Sequence, residues 1–181
     1  MTMSGQVNNQ QTAGSGWLAA LRTYLGASFA GHVVWETLQL PLYTIWSTGS
    51  FREQVFAVAH CTVGDLLIAM SALTIALLLF GAGRWPQASF WKVAAATLVF
   101  GLGYTVFSEW LNVAVRKSWA YAEAMPVIPL FGLQIGAAPL LQCIVIPAAA
   151  FKIMRGRTQG EDESPVIIRS TIEPMRTISR R

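Results

Sequence analysis

The chain has 181 residues, of which 54% are hydrophobic and 12% charged, and its mean hydropathy is +0.47. A soluble domain carries about 25% charged residues, so this composition excludes an ordinary soluble globule and places the chain among integral membrane proteins. The net charge of +4 reflects basic residues at membrane edges and on the C-terminal segment, so no nucleic-acid partner is expected.

Residues 1–16 (MTMSGQVNNQQTAGSG) are polar, carry no basic side chain and read as a flexible N-tail. They lack the charged start of a signal peptide, and Arg22 interrupts what would be its apolar core. Four apolar stretches follow within a single domain at 17–152: about 17–40, 55–80, 88–114 and 127–151. Each exceeds the ~20 residues a helix needs to cross ~30 Å of hydrocarbon. In lipid every backbone polar group must be satisfied internally, which favours helices. The fold class expected is therefore all-α: an integral membrane four-helix bundle with kinked first and fourth helices.

The first segment should bend at Pro41, which lacks a backbone donor and clashes with the preceding turn. The fourth holds Pro129, Pro139 and Pro147, with Gly132, Gly136, Ala137 and Ala138 between them. Such small residues permit close helix contact, and the prolines permit kinks. Residues 153–181 are polar and read as a flexible cytoplasmic C-tail. Arg22, Arg84, Lys92, Lys152, Arg155 and Arg157 flank one side of the spans, and Arg52, Arg116 and Lys117 the other. The positive-inside rule then places both termini in the cytoplasm, as expected for a multi-pass protein of a bacterial inner membrane. Trp17, Trp46, Trp85, Trp91 and Trp119 read as interface anchors. Cys61 and Cys143 lie inside spans without CxxC spacing, which argues against a disulfide framework.

Ionisable residues within these spans are the main functional signal. His32 and Glu36 lie in the first, His60 and Asp65 in the second and Glu109 in the third, all toward one leaflet and with no lysine or arginine at similar depth. An ionisable group at the bilayer centre costs roughly 2.5–3.5 kcal/mol, which makes the cluster a site by default. With Gln134 and Gln142 it fills a band ~7–18 Å below the outer edge, whereas 70–80 and 93–100 are almost purely apolar. A pocket that opens outward and is closed below is expected. His32, Glu36, Asp65 and Glu109 are the candidate acid–base residues. Trp35, His60, Tyr104, Thr105, Trp110, Asn112, Gln134 and Gln142 are the candidate ligand-binding ones. His32 and Glu36 share a helix face, whereas His60 projects about 140° from Asp65 at roughly 100° per residue and should not serve the same partner.

Three chemistries use such a cluster. Carboxyls and histidine in a low-dielectric pocket can exchange protons with a lipid-soluble substrate. Histidine and carboxylate can ligate zinc, iron or manganese, though no HExxH signature is present and no cofactor is specified. Acids can also relay protons during solute movement. The partners expected are membrane lipids and a small apolar or amphipathic ligand, with a second membrane protein or another copy of the chain as further possibilities. The leading expectation is a protein that binds that ligand, or binds it and converts it by acid–base chemistry. Its alternatives are a metal- or proton-coupled transporter and a non-catalytic subunit of a membrane complex.

The GHVVWETLQL segment, with a histidine four residues before a glutamate in a four-span chain, resembles the core of the emopamil-binding/sigma-2 receptor (EXPERA) superfamily. The resemblance implies a hydrophobic pocket lined by a histidine and acids, with His32 and Glu36 in the acid–base positions and Asp65 opposite them. The family's second-span glutamate pattern is absent here, and the fourth span has Gln142 but no tryptophan. The HCTVGD, YTVFSEW and MPVIP segments are similar to uncharacterised bacterial four-span membrane proteins, a likeness that implies no activity.

Overall fold

A computed structural model describes the backbone at residues 4–81, 85–130 and 132–172, with side chains described for 16–81, 85–130 and 132–157. The described chain is mostly helical. Its elements are α1 (Ser4–Gln39), α2 (Ile45–Thr48), α3 (Phe51–Phe80), α4 (Phe90–Glu109), β1 (Val127–Leu130), β2 (Leu133–Gly136) and α5 (Ala137–Ile172).

Pro41 ends α1 rather than kinking it, because Leu40–Leu42 tighten into a 3₁₀ turn directly after Gln39. Ser50 caps α3 reciprocally: Glu53 N–H donates to Ser50 Oγ at 3.4 Å, and Ser50 N–H donates to Glu53 Oε2 at 2.8 Å. This capping box satisfies two of the free donors at the helix start. At its far end α4 widens into a π turn over Trp110–Val115, immediately after Glu109. Such widened turns inside helices are frequent at functional sites.

The expected start of the fourth span is different. Residues 127–136 form an antiparallel hairpin with Val127 opposite Gly136 and Pro129 opposite Gln134. Prolines at 126 and 129 lack helix donors, β-branched Val127 and Ile128 suit a strand, and Gly132 takes the turn at φ +80°. The chain is thus not purely α, and α5 begins only at Ala137.

Residues 4–16, within the expected N-tail, continue α1, and 153–172, within the expected C-tail, continue α5. Adding a residue to an existing helix costs far less than nucleating one, so polar segments can continue helices anchored by their apolar parts. Residues 1–3 and 173–181 of those tails lie outside the described residues.

Among the described residues, three helices are long and apolar enough to cross a membrane: Phe51–Phe80, Phe90–Val115 and Ala137–Arg157. They carry large apolar side chains on their outer surfaces, among them Phe51, Leu78 and Val99. The 17–40 stretch of α1 is not among the three; Arg22, His32 and Glu36 dilute its apolar character. α1 nevertheless packs against α3 and α5, and α4 packs against the same two helices. Contact between α1 and α5 is close at Gly31, where an added Cβ would meet Ile146 Cγ2 at 2.9 Å.

The packed helices have two unlike ends. Tyr24 of α1, Leu73 and Ala76 of α3, Trp85, Val93 of α4, and Phe151 and Met154 of α5 form a buried apolar core at one end. Trp85 is therefore a core residue rather than an interface anchor. The opposite end is roofed by the turn after α1 and the segment after α4. Thr44 N–H donates to Ala120 O at 3.0 Å and Ala122 N–H donates to Leu42 O at 2.9 Å. The rings of Tyr43 and Tyr121 lie 5.8 Å apart across this seam.

Candidate functional site

Beneath the roof lies a cavity of about 1160 Å³, bounded by the end of α1, the length of α3, the second half of α4 and the start of α5. Site cavities for small molecules commonly enclose about 300–1,000 Å³, so this one is roomy. Glu36, Asp65, Glu109 and Gln142 line its polar end, with Arg116 and Glu53 also contributing. It continues along the seam of α3 and α4 past Leu67 to Ile75 and Val99. These three side chains are themselves exposed on the helix surfaces, so the lower half is a groove open to the side. The cavity thus extends beyond the polar band expected from the residue spacing.

Helical spacing sets the polar end. Positions 32, 36 and 39 follow one face of α1 at steps of four and three, and His32, Glu36 and Gln39 are all buried. Trp35 Nε1 donates to Gln39 Oε1 at 3.1 Å, and Gln39 Nε2 donates to Glu36 Oε1 at 2.7 Å and to Gln142 Oε1 at 3.2 Å. Gln142 Nε2 in turn donates to Asp65 Oδ2 at 2.8 Å and faces His32 Nδ1 at 3.0 Å. An amide nitrogen has two protons to give, and both glutamines use theirs fully here. His32 Nδ1 lies 3.7 Å from Asp65 Oδ2. Two amides therefore tie α1 to α5 and α3 and hold both Glu36 and Asp65.

Glu109 belongs to a second group. The Tyr121 hydroxyl donates to Glu109 Oε2 and accepts from Gly136 N–H at 2.9 Å. The phenol thus joins the last turn of α4 to the end of the hairpin. A Cβ on Gly136 would approach the Tyr121 ring at 3.1 Å, so glycine permits the close fit. Burial first, and then the bond to Glu109, hold the Tyr121 phenol above its ordinary range. A raised tyrosine pKa contributes stability that is complete below the unfolded value of about 10 and is lost as pH rises toward the folded value. Tyr121→Phe should therefore make the loss of stability above pH ~10 shallower than in wild type. At pH 7 it should lower stability by about 1–3 kcal/mol, because Glu109 and the Gly136 N–H lose a partner. Denaturation midpoints measured from pH 7 to 11 check both effects.

The remaining expected site residues divide. His60, Tyr104, Thr105 and Asn112 line the cavity. Exposed His60 stacks on Phe56 at 5.6 Å, and despite its angular offset from Asp65 it faces the same cavity. Asn112 Nδ2 donates to Ser108 O at 2.9 Å. Trp35 does not line the cavity but donates to Gln39, which does. Trp110 packs on Phe107 at 5.8 Å and does not line the cavity. Gln134 sits exposed on β2, away from it, because the hairpin replaces the expected helix there. Gln39 and Tyr121 were not expected. Continuing the 32–36 helical face by three residues points to Gln39, whereas nothing in the spacing of the loop singles out Tyr121.

Among the described residues no three His, Cys, Asp or Glu side chains come close enough together to hold a metal ion. Comparison with protein-family models, curated protein sequences and solved structures found no match for this chain.

Proposed function

We propose that this chain is an integral membrane protein that binds a small amphipathic molecule in the cavity, with the acid-lined end taking its polar head and the α3–α4 groove its apolar part. The observation that carries this reading is the single 1160 Å³ space in which Glu36, Asp65 and Glu109 at one end give way to Leu67, Ile75 and Val99 at the other. Ionised carboxylates only accept hydrogen bonds, so a head that donates them, such as a hydroxyl, fits best. In this reading α1 is a fourth span beside the three apolar helices, and the cavity end faces outward. Support comes from the opposite end, where Arg22, Lys92, Lys152, Arg155 and Arg157 stand beside or close to the apolar-core residues Tyr24, Val93, Phe151 and Met154 in the sequence. Cytoplasmic termini follow from it. Acid–base conversion of the bound molecule belongs to the same reading, with Glu36 on the cavity facing the molecule and His32, on the small cavity beside it, as the second member of the acid–base pair. The HxxxE likeness to the emopamil-binding proteins supports that step.

The test uses detergent-purified protein and a long-chain alcohol carrying a diazirine. Light-driven labelling should fall on α3 and α4 peptides within 56–75 and 99–109. Glu36→Gln and Glu109→Gln should each weaken its binding about tenfold, equivalent to ~1.4 kcal/mol. Labelling scattered over all outer helix faces, or binding indifferent to both substitutions, would rule the reading out.

A further inference from the structure

The main cavity changes character twice along its length, and both walls keep the same order. On α3, Ile75 and Asp65 line it ten residues apart, and on α4, Val99 and Glu109 do the same. At 1.5 Å per residue, each acid stands about 15 Å along its helix from the apolar end. That is half of the ~30 Å hydrocarbon thickness, the depth of one leaflet. Asn112 and Arg116 carry the α4 wall beyond Glu109. Arg116 lies roughly 10 Å further along, about two turns from that acid.

Among the described lining residues Arg116 is the one lysine or arginine. Its backbone N–H donates to Leu111 O at 2.7 Å and closes the widened turn. Its guanidinium makes no hydrogen bond or ion pair with a described residue. Thr48, Glu53, Arg116 and Ser118 line the cavity and are also exposed, so the cavity is reached from this end as well as through the α3–α4 groove. Glu53 is the acid at this opening, and its Oε2 already accepts from the Ser50 N–H at 2.8 Å and the Ser50 hydroxyl at 2.7 Å. An anion held by Arg116 therefore stays at the exposed opening, outside the acid-lined part.

We infer that the ligand is a single-chain lipid with a free hydroxyl at the base of its tail and a phosphate beyond it, the phosphate pairing with Arg116. The tail lies along Leu67, Ile75 and Val99, and the hydroxyl reaches the carboxylates of Glu36, Asp65 and Glu109. Carboxylates only accept hydrogen bonds, so they take the donor and repel the anion. Arginine does the reverse, meeting a phosphate through two parallel N–H···O bonds. The two polar groups of the ligand thus cannot exchange places. A second acyl chain would esterify the hydroxyl that the acids need, which is why the lipid has one. The inference rests on reading the cavity as the ligand site and adds the substrate class to that reading.

The test is competition against the diazirine alcohol in detergent-purified protein. Two competitors share one acyl chain and one glycerol backbone: a monoacylglycerol and its phosphate monoester. In wild type the phosphate ester should compete about tenfold better or more. Arg116→Gln should bring that ratio down to about one, and Arg116→Lys, which keeps the charge but not the planar fork, should leave it between the two. Glycerol phosphate without a tail should not compete; if it does, Arg116 serves a free phosphate and the lipid assignment is overturned. Equal competition by the two lipids in wild type, or a ratio that survives Arg116→Gln, also overturns the inference, while competition by the monoacylglycerol keeps the cavity reading standing. If neither lipid competes, the cavity reading fails together with the inference.

Discussion

Gly64→Trp should reduce binding of an amphipathic probe by a hundredfold or more while leaving the fold intact. Gly64 lies on α3 one residue before Asp65, faces the cavity and has open space where its side chain would project. An indole there occupies the region between the acids and the apolar groove, so a ligand spanning both must surrender contacts at its midpoint. A hundredfold loss corresponds to about 2.7 kcal/mol, within the 1–3 kcal/mol range that overpacking a filled site costs. The helix itself should not suffer, because glycine is the weakest ordinary helix former and tryptophan is better by a few tenths of a kcal/mol. The decisive comparison is probe affinity against thermal stability in one detergent. Loss of affinity with an unchanged melting point places the ligand in the cavity, whereas unchanged affinity means that it binds elsewhere.

Such a substitution follows from the open space beside Gly64, which no sequence pattern reveals. Ionisable side chains in apolar runs are conspicuous, so His32, Glu36, Asp65 and Glu109 stand out from composition alone. All four are found at the same end of the packed helices, with Glu36, Asp65 and Glu109 on the main cavity and His32 on the small one beside it. Helix periodicity likewise contains Gln39, one step of three beyond the 32–36 face. Three features were not legible. The hairpin at 127–136 depends on two prolines and a left-handed glycine overriding an apolar run that reads equally well as a helix. The helical extensions of α1 and α5 follow from propagation rather than from composition. The role of Tyr121 arises because the roof folds it back onto Glu109, a contact between a loop and a helix end that no periodicity encodes.

Gln142→Leu should be the most damaging single substitution at the site, for stability and for binding alike. Its amide contacts Gln39, Asp65 and His32, which lie on two other helices. Leucine is apolar and one atom shorter, and offers neither donor nor acceptor, so three groups lose their shared partner together. Each unsatisfied group costs about 1–3 kcal/mol in a protein interior, whereas interhelical hydrogen bonds in membranes average nearer ~0.6 kcal/mol. The larger figure suits groups that cannot find another partner. Asp65 and His32 sit 3.7 Å apart and can turn to each other, which leaves Gln39 as the principal orphan. A net loss of about 2–4 kcal/mol is therefore expected, below the sum of three separate losses. Gln142→Glu separates the effects, since a carboxyl keeps the acceptor for Gln39 but sets a third acid beside Asp65 and Glu36. If the amide acts mainly as a spacer, both variants should bind the probe as wild type does. If it is the donor that keeps Asp65 in place without a base, both should lose binding, and Gln142→Glu should regain it as the pH is lowered and its carboxyl takes up a proton to donate to Asp65.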